Sequence, residues 1–341
     1  MQGNNREGKR TIGVIGLGIM GGMMAETLRA QGHDVTGFDI APAARKRLTK
    51  CGGRPLASAA AVAQSADIII VSLASSAALA AVARELAGSS LAGKSGKDGK
   101  GGKADSSASR KPAPARRIVI ETSTLPMADK ESAAALLQPA GFTVLDCPIS
   151  GTAARMKERA WTIFLSGDKT ACKRALPVLK AFTDNLPNVG AFGNGTKLKF
   201  SANHLVAIYN VAYAESVTLA RKMGLDPREM LKLFGPSAVL GTGVMRLRMP
   251  FMIERKYTPP TMKIEVWQKD MQVIGDMAKS VNCPTPLFSA CVPVYNAAMA
   301  QGLALEDTAS TAEVLGVMAG IAPVKKKTAG TTSTRVKRAR A

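Results

Sequence analysis

The chain has 341 residues, 46% of them hydrophobic, and a mean hydropathy of +0.05, which suits a globular protein of two domains. Its apolar runs are too short to span a membrane, and its first ten residues lack the apolar core of a secretory signal. Its five scattered cysteines and two histidines indicate neither a disulfide framework nor a metal site. We therefore expect a cytoplasmic protein. The net charge of +21 is concentrated in residues 1–10, 94–117 and 325–341.

The first predicted elements form a strand, a turn, a helix and a second strand between Thr11 and Asp39. Gly16, Gly18 and Gly21 form the pattern G-x-G-x-x-G between strand and helix. Gly16 permits a tight turn, Gly18 lets a pyrophosphate approach the backbone, and Gly21 lets the helix pack on the strand. The order of elements favours a dinucleotide site over a glycine-rich turn of another α/β fold.

Asp39 predicts which dinucleotide binds. It lies about 20 residues after the glycines, where a carboxylate accepts hydrogen bonds from the adenosine ribose and repels a 2′-phosphate. We therefore expect NAD, with NADP as the alternative because Arg45, Lys46 and Arg47 follow closely.

Strands and helices alternate as far as residue 192. Further strands are predicted over residues 35–38, 68–72, 117–121, 143–146, 161–165 and 189–192. Helices are predicted over residues 20–31, 43–50, 58–64, 77–86, 127–137 and 169–182. Beyond residue 193 only helices are predicted, over residues 196–223, 227–234, 264–280, 287–301 and 309–318.

This alternation predicts an α/β fold, a Rossmann-type doubly wound parallel sheet followed by an all-α C-terminal domain. Residues 88–116, rich in Gly, Ser, Lys and Ala, are expected to form a disordered insertion. The predicted divisions are a flexible N-terminus (1–9), an NAD-binding domain (10–192), a helical substrate and oligomerisation domain (193–323) and a disordered basic tail (324–341).

Ligands of parallel sheets bind at the carboxyl ends of the strands. Residues there include Leu73, Ser123-Thr124 and Ser150-Gly151-Thr152, whose hydroxyls and amides suit a nicotinamide ribose or a small anion. The alternative is that the hydroxyls only cap the following helices.

Lys199 and Asn203 are four residues apart at the start of the long predicted helix, hence on one face. Burial would bring the pKa of Lys199 toward the range of a general acid/base, and Asn203 could hydrogen-bond it and the substrate. The alternative is a solvated lysine, as we expect for Lys197. Lys269-Asp270 has a similar alternative as surface charge.

Together these motifs resemble those of the β-hydroxyacid dehydrogenases, typified by 3-hydroxyisobutyrate dehydrogenase and related to 6-phosphogluconate dehydrogenase. The resemblance covers about residues 10–322 and is carried by five segments in order: Gly16-Leu17-Gly18-Ile19-Met20-Gly21, Glu121-Thr122-Ser123-Thr124 with Pro126, Asp146-Cys147-Pro148-Ile149-Ser150-Gly151, Gly193-x-Gly195 to Lys199 and Asn203, and Lys269-Asp270-Met271.

The resemblance implies an NAD(P)-dependent dehydrogenase acting on the CH–OH group of a small β-hydroxy acid. It implies that Lys199 is the catalytic acid/base. The implied substrate-binding residues are Ser150, Gly151, Thr152 and Asn203. The implied cofactor-binding residues are Gly16, Leu17, Gly18, Ile19, Met20, Gly21, Asp39, Leu73, Thr124 and Lys269.

Some positions depart from the family pattern. Thr152 replaces a second glycine, Ala202 replaces a first asparagine, and Arg155, Lys157 and Arg159 make the following loop basic. The substrate therefore stays open among 3-hydroxyisobutyrate, tartronate semialdehyde (2-hydroxy-3-oxopropionate), threonate-type sugar acids and succinic semialdehyde.

The resemblance also implies that the chain forms a homo-oligomer. We expect no membrane partner. The basic insertion and tail suggest a nucleic-acid partner as an alternative function. Both segments lack aromatic residues that would stack on bases, so solubilising extensions are favoured.

Overall fold

The computed structural model describes residues 11–89, 116–152 and 156–323. The predicted N-terminus, nearly all of the predicted insertion, and the predicted tail lie outside these residues. Among the described residues, no helix combines the length and the apolar content that a membrane span requires.

The chain divides into two compact units. The first comprises Met1–Leu205 and Lys269–Pro284, and the second comprises Val206–Gln268 and Thr285–Ala341. The boundary predicted at residues 192 and 193 stays a prediction.

The described strands are β1 Thr11–Ile15, β2 Asp34–Phe38, β3 Arg54–Pro55, β4 Ile68–Val71, β5 Arg117–Glu121, β6 Phe142–Asp146, β7 Ile149–Ser150, β8 Thr162–Ile163, β9 Leu165–Ser166 and β10 Asn188–Gly190. The first unit is built on an eight-stranded sheet, counted over the described residues, with the order β10-β9-β6-β5-β4-β1-β2-β3. Strands β1, β2, β4, β5, β6 and β10 correspond to predicted strands, whereas the short strands β3 and β7 do not. The parallel pairing from β3 to β6 confirms the Rossmann-type sheet.

The far edge of the sheet differs from the prediction. The single strand predicted over residues 161–165 is two strands: β8 pairs antiparallel with β7 in a separate two-stranded sheet, whereas β9 joins the main sheet. Strand β9 runs antiparallel to β6 through the pair Asp146 and Ser166. The division occurs at Phe164, whose N–H donates to the carbonyl of Pro148.

Helices cover both faces of this sheet. They are α1 Ile19–Ala30, α2 Pro42–Lys50, α3 Ala59–Ser65, α4 Ser76–Gly88, α5 Met127–Leu137 and α6 Lys169–Leu179. In β4 the side chains alternate between the two layers: Ile68 and Ile70 pack in the layer of α1, α2 and α6, and Ile69 packs in the layer of α3, α4 and α5. Burial on both faces explains why these strands are uninterrupted apolar runs.

The remaining helices are α7 Asn194–Lys222, α8 Pro227–Phe234, α9 Gly243–Glu254, α10 Ile264–Ser280, α11 Pro286–Ala300 and α12 Thr311–Met318. Helix α7 begins in the first unit and ends in the second, and α10 runs from the second into the first. The all-α character of this part confirms the predicted fold class.

Helix α9 has no counterpart in the prediction. Pro250 lies inside it, and its buried residue Arg248 interrupts the apolar pattern. The guanidinium of Arg248 contacts both carboxylate oxygens of Asp307 at 2.6 Å, which satisfies the buried charge. Met249 and Met252 complete the core of the second unit on the same helix.

Candidate active site

The glycine-rich turn after β1 has the geometry that a dinucleotide requires. Gly16 has φ +85, and a Cβ there would lie 2.1 Å from the carbonyl oxygen of Ser72. A Cβ on Gly21 would lie 1.9 Å from the carbonyl oxygen of Gly16, so helix and strand are in close contact. A Cβ on Gly18 would meet nothing within 4 Å. The backbone at Gly18 thus faces open space beside the start of α1, where a pyrophosphate would be held.

Asp39 is tied to this turn. Its two carboxylate oxygens accept hydrogen bonds from the N–H groups of Leu17 and Ala41, each at 2.7 Å. Each oxygen keeps acceptor capacity for a ribose hydroxyl. Arg47 donates to the carbonyl of Leu17 at 3.0 Å, and Arg45 donates to the carbonyl of Asp39 at 2.5 Å. Both arginines are therefore committed to backbone carbonyls next to the carboxylate.

The other predicted cofactor residues are brought together at the carboxyl ends of β4 and β5. The N–H of Leu73 donates to the hydroxyl of Ser123 at 2.8 Å, which joins the two strand ends. The ammonium group of Lys269, on α10, donates to the carbonyl oxygen of Thr124. Leu17 differs from the rest of its motif because its side chain is buried in the core, while Ile19 is exposed.

Lys199 is buried, with only 9% of its surface exposed. Burial lowers its pKa to about 8; the negative charge of Asp270 opposes this change and the positive charge of Lys269 adds to it. Within the described part of the chain its ammonium group has no hydrogen-bond partner. The pKa of Lys199 therefore lies close to neutral pH, in the range that suits a general acid/base, whereas Lys197 is exposed as expected.

Asn203 lies one helical turn after Lys199 and is also buried. Its amide group donates to the carboxylate of Asp270 at 2.8 Å, rather than to the lysine as the sequence suggested. The other carboxylate oxygen of Asp270 lies 3.0 Å from the ammonium group of Lys269. The pair Lys269-Asp270 therefore contacts Asn203 and the carbonyl of Thr124 and is not a solvated surface charge pair.

The segment Ser150-Gly151-Thr152 is held by Trp161, which sequence reasoning missed. Gly151 has φ +147, and a Cβ there would lie 2.4 Å from the indole Cδ1 of Trp161. The indole N–H donates to the carbonyl of Thr152 at 2.8 Å. The hydroxyl of Thr152 is buried and has no hydrogen-bond partner among the described residues.

The basic loop that follows is described only in part. Residues 153–155, which include Arg155, lie outside the described ranges. Lys157 is exposed. Arg159 contacts Asp184 at 3.0 Å and donates to the carbonyls of Lys180 and Ala181. Arg159 is therefore engaged in contacts within the fold and does not indicate an acidic substrate.

Family comparisons match both parts of the chain. Residues 11–190 match the family described as the NAD binding domain of 6-phosphogluconate dehydrogenase. Residues 193–315 match the family described as NAD-binding of NADP-dependent 3-hydroxyisobutyrate dehydrogenase.

Individual relatives match over nearly their full length. An L-threonate dehydrogenase from Cupriavidus necator is 28% identical over 89% of this chain and 96% of that relative. A 3-sulfolactaldehyde reductase from Escherichia coli is 28% identical over 91% of this chain and 97% of that relative. A 3-hydroxyisobutyrate dehydrogenase structure from Salmonella typhimurium is 25% identical with a TM-score of 0.72, covering 89% of this chain and 99% of that one.

Proposed function

The chain belongs to the β-hydroxyacid dehydrogenase family and is an NAD-dependent hydroxy-acid dehydrogenase, and we propose that Lys199 is its catalytic acid/base. The observation that supports this role is the burial of Lys199, which lowers its pKa to about 8. At pH 7 about one molecule in ten then carries a neutral lysine, against about one in 3,000 at the ordinary pKa of 10.5. Burial thus raises the supply of neutral base about 300-fold.

The proposed mechanism uses this proton equilibrium. In the oxidation, neutral Lys199 takes the proton from the substrate hydroxyl, and the electron pair left on oxygen forms the carbonyl bond as the carbinol carbon gives up its hydride. NAD, when bound, supplies the hydride acceptor. In the reduction, protonated Lys199 returns the proton to the same oxygen. Asn203 and Asp270 hold the helix face that presents the lysine, because their hydrogen bond joins α7 to α10.

We propose that residues 16–21, Asp39, Leu73, Thr124 and Lys269 hold the cofactor, and that NAD is preferred over NADP. The fixed carboxylate of Asp39 supports this preference, since it can accept ribose hydroxyls but repels a 2′-phosphate. NADP stays the alternative.

We propose that Ser150, Gly151 and Thr152, with Asn203, bind the substrate, and that the substrate is a small β-hydroxy acid of the 3-hydroxyisobutyrate type. The hydroxyl of Thr152, which is buried and has no hydrogen-bond partner among the residues that the structure describes, favours a second candidate, a threonate-type sugar acid with further hydroxyl groups. The names of the threonate dehydrogenase and sulfolactaldehyde reductase relatives support an acid with additional polar groups.

The test is turnover of purified Lys199→Ala over a panel of hydroxy acids with NAD. We expect the variant to bind NAD as the wild type does and to lose turnover by at least about 100-fold, the usual effect of removing a general acid/base. Lys197→Ala is the matched control, since Lys197 is exposed on the same helix. Near-normal turnover of Lys199→Ala would contradict the assignment.

We also propose a cytoplasmic setting and a homo-oligomer. The five cysteines, all free, support a reducing compartment. Nucleic-acid binding through the basic tail stays an alternative prediction.

A further inference from the structure

A lysine lies on the buried face of helix α5. The buried residues of this helix are Met127, Lys130, Ala133 and Leu137, so Lys130 occupies a position in an otherwise apolar stripe. The side chain of Lys130 has no exposed surface. A lysine at such a position needs partners for its charge, because an isolated buried ammonium group is strongly unfavourable.

The ammonium group of Lys130 forms an ion pair with Glu121 and donates hydrogen bonds to Asp146 and Thr196. Its Nζ lies 2.6 Å from Glu121 Oε2, 2.9 Å from Asp146 Oδ1 and 2.9 Å from Thr196 Oγ1. Burial lowers the pKa of Lys130, but the two carboxylates outweigh burial and the pKa is raised, so the group is charged. All of these residues belong to the first unit.

Each partner precedes a segment of the proposed site. Glu121 ends β5 and is followed by Ser123-Thr124, and its second oxygen accepts the N–H of Ser123 at 2.9 Å. Asp146 ends β6, directly opposite Glu121 in the sheet, and precedes the segment of Ser150. Thr196 lies in the first turn of α7, three residues before Lys199.

Asp146 also fixes the start of α7 directly. Its Oδ2 accepts the N–H of Thr196 at 2.7 Å, and its Oδ1 accepts the Thr196 hydroxyl at 2.7 Å. The hydroxyl of Ser166 donates to the carbonyl of Asp146 at 2.7 Å and accepts the N–H of Gly195 at 3.1 Å. The first turn of the helix is therefore attached to the end of β6 by several buried hydrogen bonds.

We propose that Lys130 is a positioning residue, whose ammonium group sets the placement of the cofactor segment after β5, the substrate segment after β6 and the helix that carries Lys199. The inference rests on the proposed function of Lys199. Apolar side chains of similar volume would fill the same space, but they would leave the three segments free to shift against one another, whereas hydrogen-bonded charges fix distances and directions. Small displacements of a catalytic group are costly for the rate.

The test uses Thr196→Val, which keeps the shape of the side chain and removes its hydroxyl from Lys130 and Asp146. We expect kcat to fall on the order of 10- to 100-fold at a temperature where the protein is fully folded, with the Kd of NAD changed less than about 3-fold. Thr196→Ser restores the hydroxyl and should recover most of kcat. Lys130→Met should show a larger loss of kcat, if it folds.

A purely stabilising network would behave differently. Val178→Ala, which opens a cavity in α6 of the same unit, is the control for lost stability. If Thr196→Val retains the kcat of this control at equal folded fraction, the positioning role is wrong. Lys199→Ala separates the two proposals: if it is inactive while Thr196→Val resembles Val178→Ala, only the positioning role fails, and if it is active, the proposed function itself fails.

Discussion

Replacing Lys199 with methionine should make the protein more stable while it abolishes turnover. The fold buries an ammonium group whose pKa is lowered from 10.5 to about 8, which means that the folded state disfavours the charged form. This difference corresponds to about 3 kcal/mol of lost stability in the wild type at pH 7. Methionine fills a similar volume without a charge, and Asp270 keeps Asn203 and Lys269 as partners.

The stability that Lys199→Met gains over the wild type should fall as the pH rises. Below pH 8 Lys199 is protonated in both the folded and the unfolded wild type, so the full cost of burying its charge lowers the stability. Between pH 8 and 10.5 the unfolded state binds more protons than the folded state, so wild-type stability rises with pH. The free energy of unfolding of Lys199→Met should therefore exceed that of the wild type by about 3 kcal/mol at pH 7, about 2 kcal/mol at pH 9 and about 1 kcal/mol at pH 10.

Urea unfolding of cofactor-free wild type and Lys199→Met at these three pH values measures the difference. Lys197→Met is the control, because its lysine is exposed and should give no pH-dependent gain. A stability difference that stays constant between pH 7 and 10, or a variant that is less stable than the wild type, would refute the reasoning.

Three further predictions concern the same site. Asp270→Asn removes the charge that raises the pKa of Lys199, so the rise of kcat with pH in the oxidation should move to lower pH; a move to higher pH would contradict this. Asp39→Ala should lower kcat/KM for NAD about tenfold or more and for NADP much less, whereas equal losses in the two series would show that the carboxylate does not select the cofactor. Trp161→Phe removes the donor to the carbonyl of Thr152 and should raise the KM of the hydroxy acid several-fold without changing that of NAD; steady-state kinetics with unchanged KM for the acid would exclude this role.

The sequence alone determined the parts of the fold that follow from short-range pattern. The β-branched runs at residues 68–72 and 117–121 are strands because both of their faces are buried, and Gly16 and Gly21 mark a turn that excludes any Cβ. The residue patterns that mark these features are local, although the contacts that explain them are not, so the patterns can be read before the fold is known. The family resemblance came from the same local motifs.

Only the tertiary structure decided which charged residues are buried. Lys199, Lys130 and Asp270 look like ordinary helical charges in sequence, because lysines and aspartates on helices are mostly solvated. Their burial depends on elements far away along the chain: Asp270 meets Asn203 across 67 positions, and Lys130 meets Thr196 across 66. Desolvation and Coulomb energies are set by these distances in space, and no local pattern contains them.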